Sequence, residues 1–317
     1  VMASSPVVFI QRCLPAYRIE FFTQLNRALP VPIVVIHGRS SPEEGVHEGE
    51  LPFSVQVRNR RLAGLGWWQP EIASVLTRLA PGAVVCEANP RLNSVFVSAR
   101  WCRRASVPLF LWGLGAVPRR RSLLETSASR HLLRRLARQA EGVFAYGPGA
   151  KAYYDRLAPH GARVWIVGNA ARDTHEPRSS NRALHVAKDA SPSTSESRLV
   201  GRRFLFVGRL VSGKGLDRLL RAVHLIGEKA VHLDIVGSGP LEQELRDLAG
   251  GLGLRCVVFR GHLQGAALEA AYGEADVFVL PGLGGLTIGE ALGHGLPVVM
   301  GSAGDGAASE MVVDGVT

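Results

Sequence analysis

The sequence predicts an α/β protein made of two doubly wound, Rossmann-like domains that face a cleft. Three observations carry this. Short apolar runs of strand length alternate with segments whose apolar residues recur at helical spacing. Residues 174–203 break that alternation with a stretch rich in Ser, Pro and charge. The alternation then restarts at Phe204 with a strand, a glycine turn and a helix start. Domains are therefore expected at 1–173 and 204–317, with a linker or mobile loop at 174–203. Ligands of such sheets bind outside the carboxyl ends of strands, and two facing sheets place a substrate cleft between them.

The first half opens with a strand at Val7 to Ile10. Pro15 then sits where proline is tolerated, just before a helix whose Ile19, Phe22, Leu25 and Leu29 share a face. Ile33 to Ile36 reads as a second strand, and residues 38–51, rich in Gly, Glu and Ser, as a loop. Val55 and Val57 suggest a third strand. A helix from about Gln69 to Leu79 leads to the strand Ala83 to Glu87. Another, from about Asn93 to Arg104, leads to Val107 to Gly113. Later strands are expected within Val143 to Gly147 and Arg163 to Asn169.

The second half turns on FLFVGRLVSGKG, Phe204 to Gly215. Gly208, Gly213 and Gly215 permit a tight turn, with Arg209 and Lys214 beside it. Leu216, Leu219, Leu220, Val223 and Ile226 then fall on one helical face. Amides at a helix start with two cations beside them make an anion site. Gly208 to Lys214 also spells most of a Walker A motif, but that motif needs Ser or Thr next, to bind Mg²⁺, and the next residue is Gly215. Ile235 to Ala249 is a strand, a G-x-G turn and a helix, and it lacks the third glycine of a dinucleotide fingerprint. Strands are expected at HLDIV, VVFRG, DVFVL and PVVM. Gly282, Gly284 and Gly285 precede a helix from about Leu286 to Leu292. Glu290, one turn into it, can accept two hydroxyl hydrogens of a diol such as ribose; a solvated helix face or a cap is the alternative role.

At 317 residues and 46% hydrophobic, the chain can bury a large core. Cys13, Cys86, Cys102 and Cys256 are scattered, without zinc spacing, which fits a reducing compartment. No apolar run approaches membrane-spanning length. The first residues lead straight into a strand, so no signal peptide is expected. The net charge is +10, and residues 1–172 hold 23 of the 37 basic but 10 of the 27 acidic residues. A basic field of that size attracts nucleic acid, an anionic membrane face or an acidic substrate. No recognition-helix or RNP-like pattern supports nucleic acid. Within Arg119 to Ala140, Arg130, Arg134 and Arg138 follow one helix line, with Leu132, Leu133, Leu136 and Ala140 elsewhere around it. That is an amphipathic cationic helix, open to either an anionic membrane or packing on the sheet.

Taken together, VGRLVSGKGLDRLL, LDIVGSGPLEQELRDLA, FRGHL, ADVFVLPG and the stretch from Gly284 to Thr317 resemble the second domain of family-4-type glycosyltransferases of the GT-B fold. More loosely, PAYRIEFFTQL, LWGLG and VWIVGNAARDT resemble a bacterial subgroup acting on polysaccharide or lipid-linked glycans. The resemblance implies a retaining, metal-independent transfer from a nucleotide-sugar, which is a substrate, so that no cofactor is expected. It implies that Arg209 and Lys214, after Gly208, grip the donor's diphosphate and carry catalysis. It places the amides of Gly284, Gly285 and Leu286 near the diphosphate and donor sugar, Glu290 on the ribose, and His262 and Leu263 beside the base. The implied acceptor is lipid-linked or polysaccharide, bound by the N-terminal domain. The implied location is cytoplasmic, peripheral at the inner face of the membrane.

The chain departs from the family in three places. Gly282 stands where a first glutamate is usual. Leu114 stands where the subgroup has a histidine in W-G-H-G. The chain also ends at Thr317, short of the family's closing helices. A non-catalytic nucleotide-sugar-binding or scaffold protein of the same fold is the alternative that these departures raise.

Overall fold

The computed structural model describes residues 5–41, 44, 46–62, 66–115, 123–157, 163–168, 201–227, 231–284, 286–301 and 311–312. The chain divides into two compact units, Val1–Pro42 with Val46–Arg172, and Glu43–Gly45 with Asp173–Thr317. The stretch expected to link two domains, 174–203, lies outside the described residues except for 201–203. There Gly201 forms a turn and a strand already begins at Arg202, two residues before the expected Phe204.

The first unit carries β1 (Val7–Cys13), β2 (Ile33–Gly38), β3 (Ser54–Gln56), β6 (Ala83–Glu87), β7 (Leu109–Gly113), β8 (Gly142–Ala145) and β9 (Arg163–Ile166) in one sheet. All pair in parallel, in the order β3-β2-β1-β6-β7-β8-β9. Its helices are α1 (Ile19–Ala28), α2 (Ile72–Leu79), α3 (Ser94–Ala105), α4 (Leu123–Ala137) and α5 (Pro148–Leu157). Val8, Ile10, Val84, Cys86, Leu111 and Val143 of the central strands are buried against Ile72, Leu76, Val95 and Leu136 of the helices. Coverage on both faces explains why these strands read as unbroken apolar runs. Burial pushes the Cys102 thiol up to about 11 and raises Cys86 further, so neither is a nucleophile near neutral pH.

A short antiparallel hairpin, β4 (Arg60–Leu62) and β5 (Gly66–Trp68), was not expected. Its strands are three residues long, and arginines and tryptophans give them no alternation to read.

Helix α4 resolves one ambiguity. Leu133, Leu136, Ala137 and the following Ala140 join the core, while Arg130, Arg134, Arg135 and Arg138 are exposed. Among the described side chains of this helix, the leucine left outside the core is Leu132, which is 37% exposed. Membrane attraction through the arginine face is then expected to be mainly electrostatic. Binding to anionic vesicles at low salt is expected to fall steeply between about 50 and 300 mM salt, as the Debye length shrinks. Equal binding to neutral vesicles in a sedimentation assay would contradict this.

The second unit holds β10 (Arg202–Val207), β11 (Val231–Val236), β12 (Val257–Gly261), β13 (Val277–Leu280) and β14 (Val298–Met300), all parallel, in the order β12-β11-β10-β13-β14. Helices α6 (Leu216–Ile226), α7 (Glu242–Gly251), α8 (Gly265–Glu274) and α9 (Leu286–Gly293) alternate with them. Helix α6 starts on Gly215, whose φ of 67° is left-handed and whose carbonyl accepts from the amide of Leu219 at 3.2 Å. Leu216, Leu219, Leu220 and Val223 pack into the second core, each Leu contributing about 1.5–3 kcal/mol if fully buried. Ile226 was expected on this face, but it is the last helical residue and is 50% exposed. The helix stops at Gly227, with φ of 94°.

Candidate functional site

In the second sheet the strand order reverses between β10 and β13. A doubly wound sheet opens a crevice at that point, because the segments leaving the two strands diverge to opposite faces. Both segments here are glycine turns, and they meet. After β10, Ser212–Lys214 makes a single 3₁₀ turn. After β13, the Leu283 amide donates to the Gly213 carbonyl at 2.8 Å. The Lys214 ammonium donates to the carbonyls of Leu283 at 2.8 Å and Gly284 at 3.2 Å. Its stem runs past Gly208, where an added Cβ would lie 3.6 Å from Lys214 Cε. Gly208, Lys214, Gly284 and the start of α9 at Leu286 thus belong to one small region. Gly285 lies outside the described residues.

Gly282 has a steric cause. A Cβ at this position would lie 2.4 Å from the Gly213 carbonyl oxygen and 2.4 Å from the Lys214 carbonyl carbon. Backbone atoms cannot yield as a flexible side chain can. The glycine at 282 is therefore tied to the tight closure of this loop on the Lys214 turn.

The turn after β11 packs against the other side of the β10 turn. The Gly208 amide donates to the Val236 carbonyl at 3.0 Å, and the Leu210 amide to the Ser238 carbonyl at 2.9 Å. Gly237, with φ of 134°, has no room for a Cβ, which would meet the Gly208 carbonyl oxygen at 1.9 Å. The glycines of G-S-G thus serve close backbone packing. Arg209 is exposed between these contacts, directly after Gly208. The Gly237 amide also donates to the Gly261 carbonyl at 2.7 Å, tying in the end of β12. Just beyond, His262 is exposed and its Nε2 lies 2.7 Å from the Gln264 amide nitrogen, while Leu263 packs on the second core.

Glu290 sits one turn into α9, half-buried. Tyr272 of α8 donates its hydroxyl to Glu290 Oε2 at 2.8 Å. No sequence signal singled out Tyr272, because the partners are 18 residues apart on different helices.

A second constellation lies at the strand ends of the first unit, where order reverses between β1 and β6. The Arg18 guanidinium stands 4.4 Å over the Trp112 ring and donates to the Tyr146 hydroxyl at 2.9 Å. Burial opposes its charge, but Tyr146 and Tyr17 outweigh that, and its pKa lies above the usual arginine value. Trp112 is 4% exposed, and its indole N–H has no hydrogen-bond partner among the described residues. Leu114, two residues on, is half-buried. In the sequence Trp112 stands out only within LWGLG, and Arg18 only within PAYRIEFFTQL. Their contact depends on the segment after β1 and the end of β7 meeting across the intervening β6, which spacing does not show.

Among the described residues, no group of three or more His, Cys, Asp or Glu side chains is placed to hold a metal ion. None of their helices is long and apolar enough to cross a membrane.

Residues 201–317 match the family described as glycosyl transferases group 1. The matched residues lie within the second unit. An uncharacterized glycosyltransferase of Methanocaldococcus jannaschii is 43% identical over 105 residues, covering 32% of this chain and 27% of the relative. A sulfoquinovosyl transferase of Arabidopsis thaliana is 26% identical over 263 residues, covering 80% of this chain and 47% of the relative. The chain thus spans less than half the length of either curated relative. Among solved structures, Anabaena HepE in complex with UDP and glucose superposes with a TM-score of 0.68 at 18% identity, over 98% of this chain and 84% of that one. At that identity the likeness shows the fold, which is the GT-B fold expected from the sequence.

Proposed function

We propose that the chain is a retaining, metal-independent glycosyltransferase that moves a sugar from a nucleotide-sugar to a lipid-linked or polysaccharide acceptor. The observation that carries this is the meeting of the Lys214 turn with the glycine loop before α9, at the switch point of a glycosyltransferase group 1 domain. When a glycosidic bond to a nucleoside diphosphate breaks, negative charge grows on the departing phosphate. Fixed cations and amides that face that charge lower the barrier. Lys214 and Arg209 supply the cations here, and Gly284, Gly285 and Leu286 the amides. Glu290 takes the ribose hydroxyls, with His262 and Leu263 beside the base. The HepE structure binds UDP and glucose, which supports a donor of this class.

In the first unit, Arg18, Trp112 and Tyr146 are the groups we assign to the acceptor. The exposed arginines of α4 suit an anionic membrane surface, and we place the protein at the cytoplasmic face of a membrane. Neither nucleic acid nor a resident cofactor enters this reading.

Leu114, in place of the histidine, favours a second reading in which the domain binds a nucleotide-sugar without turning it over. A donor screen separates the two. Thermal shift with UDP, GDP, ADP and dTDP finds the base, because ligand bound to the native state raises its apparent stability. Release of nucleoside diphosphate from the matching nucleotide-sugars then reads turnover. Turnover is expected, and it is expected to survive EDTA, since Lys214 and Arg209 neutralise the leaving group. Binding without turnover for any donor and acceptor would support the second reading. Loss of turnover in EDTA, restored by Mg²⁺ or Mn²⁺, would overturn metal independence.

A further inference from the structure

The carboxylate of Glu290 is not positioned by its own helix alone. Its Oε2 accepts from Tyr272 at 2.8 Å, and its Oε1 has no hydrogen-bond partner among the described residues. Tyr272 is itself held tightly. It is 1% exposed, and its ring lies face to face with His294, with centroids 4.8 Å apart and planes 7° apart. It also stacks on Phe278 of β13 at 6.1 Å. His294 Nε2 in turn lies 3.1 Å from Glu269 Oε2, so the residue against which the ring packs is also anchored. A buried tyrosine hydroxyl needs a partner, and this one meets a half-exposed carboxylate.

We propose that Tyr272 is a positioning residue for nucleotide recognition: its hydroxyl fixes one oxygen of Glu290 and leaves the other to a vicinal diol. This rests on Glu290 as the ribose ligand. A glutamate side chain free to rotate loses conformational entropy when a ligand orders it. Tying Oε2 to a rigid ring removes that loss before the ligand arrives, as in other preorganised sites. A carboxylate also receives hydrogen bonds on both oxygens without conflict, so the Tyr272 bond and the diol do not compete for one oxygen.

Tyr272→Phe tests this, because it keeps the ring packing on His294 and Phe278 and deletes only the hydroxyl. Calorimetric Kd values are measured for the tightest-binding of UDP, GDP and ADP, and for its 2′,3′-dideoxy counterpart. The proteins are wild type, Tyr272→Phe, Glu290→Ala and the double variant. Tyr272→Phe is expected to weaken the ribonucleotide about 5- to 30-fold, the rotamer freedom of one glutamate side chain that must then be lost on binding. Binding of the dideoxy compound should stay within about twofold, and Tyr272→Phe should add nothing in the Glu290→Ala background. Equal weakening of both ligands would show a merely structural role and overturn the inference, as would no change in either. If Glu290→Ala itself leaves the preference for the ribonucleotide intact, the ribose assignment fails and the inference with it. If Glu290→Ala abolishes the preference and Tyr272→Phe does not, the assignment stands and Tyr272 alone is excluded.

Discussion

Lys214→Ala is expected to lower turnover of the nucleotide-sugar about 10²- to 10³-fold, the typical loss of one fixed donor facing a developing negative charge. The residue is half-buried at the switch point, and its ammonium already spans to the carbonyls of Leu283 and Gly284. Removing it therefore has a second, smaller effect. Two carbonyls lose a donor, and the melting temperature should fall modestly, since net hydrogen-bond contributions are on the order of 1 kcal/mol. Lys214→Met keeps the apolar stem beside Gly208 but not the donor. It should show the same loss of turnover as Lys214→Ala, with a fall in melting temperature no larger than that of Lys214→Ala. Circular dichroism and steady-state rates on both variants check this; near-normal rates in folded Lys214→Met would remove Lys214 from the donor site.

Gly282→Ala is expected to be costly, and Gly282→Glu more so. The new Cβ would lie within 2.5 Å of three backbone atoms of Gly213 and Lys214. Overpacking of this kind costs about 1–3 kcal/mol, or roughly 2–12 °C in melting temperature for a domain of about 150–250 residues. Relief by shifting the loop breaks the Leu283–Gly213 hydrogen bond and moves the carbonyls that meet Lys214. A displacement of about 1 Å at such a site can lower the rate ~10²-fold. Gly250→Ala in α7 is the control, because its Cβ would meet nothing within 4 Å. Placing at 282 the glutamate that the resemblance leads one to expect should thus damage this chain, as differential scanning fluorimetry and rate measurements would read. A Gly282→Glu variant with unchanged stability and faster turnover would contradict the steric account.

The fold was legible because its strands lie in parallel sheets covered on both faces. Ala83–Glu87 and Val257–Gly261 stand where the apolar runs put them. The hairpin Arg60–Leu62/Gly66–Trp68 was not legible, because three-residue strands leave no period to detect. Within the candidate site, Gly208, Lys214 and Gly284 could be named from turn chemistry and family resemblance. What could not be read is how they are held. Against the resembled family Gly282 stands where a glutamate is usual, and the loop's approach to Gly213 supplies the reason. Tyr272 reads as one more apolar helical residue until α8 and α9 are placed side by side. Arg18 over Trp112 is hidden for the same reason, since a cation–ring contact between distant residues leaves no spacing. Contacts across elements are invisible to periodicity, which reports one element at a time.

The proposed function requires that the Lys214 turn hold a diphosphate. Isothermal titration of the preferred nucleoside diphosphate and of the corresponding nucleoside, against wild type and Lys214→Met, tests it most directly. Wild type should bind the diphosphate at least tenfold more tightly than the nucleoside, since charge-assisted hydrogen bonds to phosphate are the strong ones. Lys214→Met should lose most of that preference while its affinity for the nucleoside is unchanged. A folded Lys214→Met that keeps the full preference for the diphosphate would contradict the account.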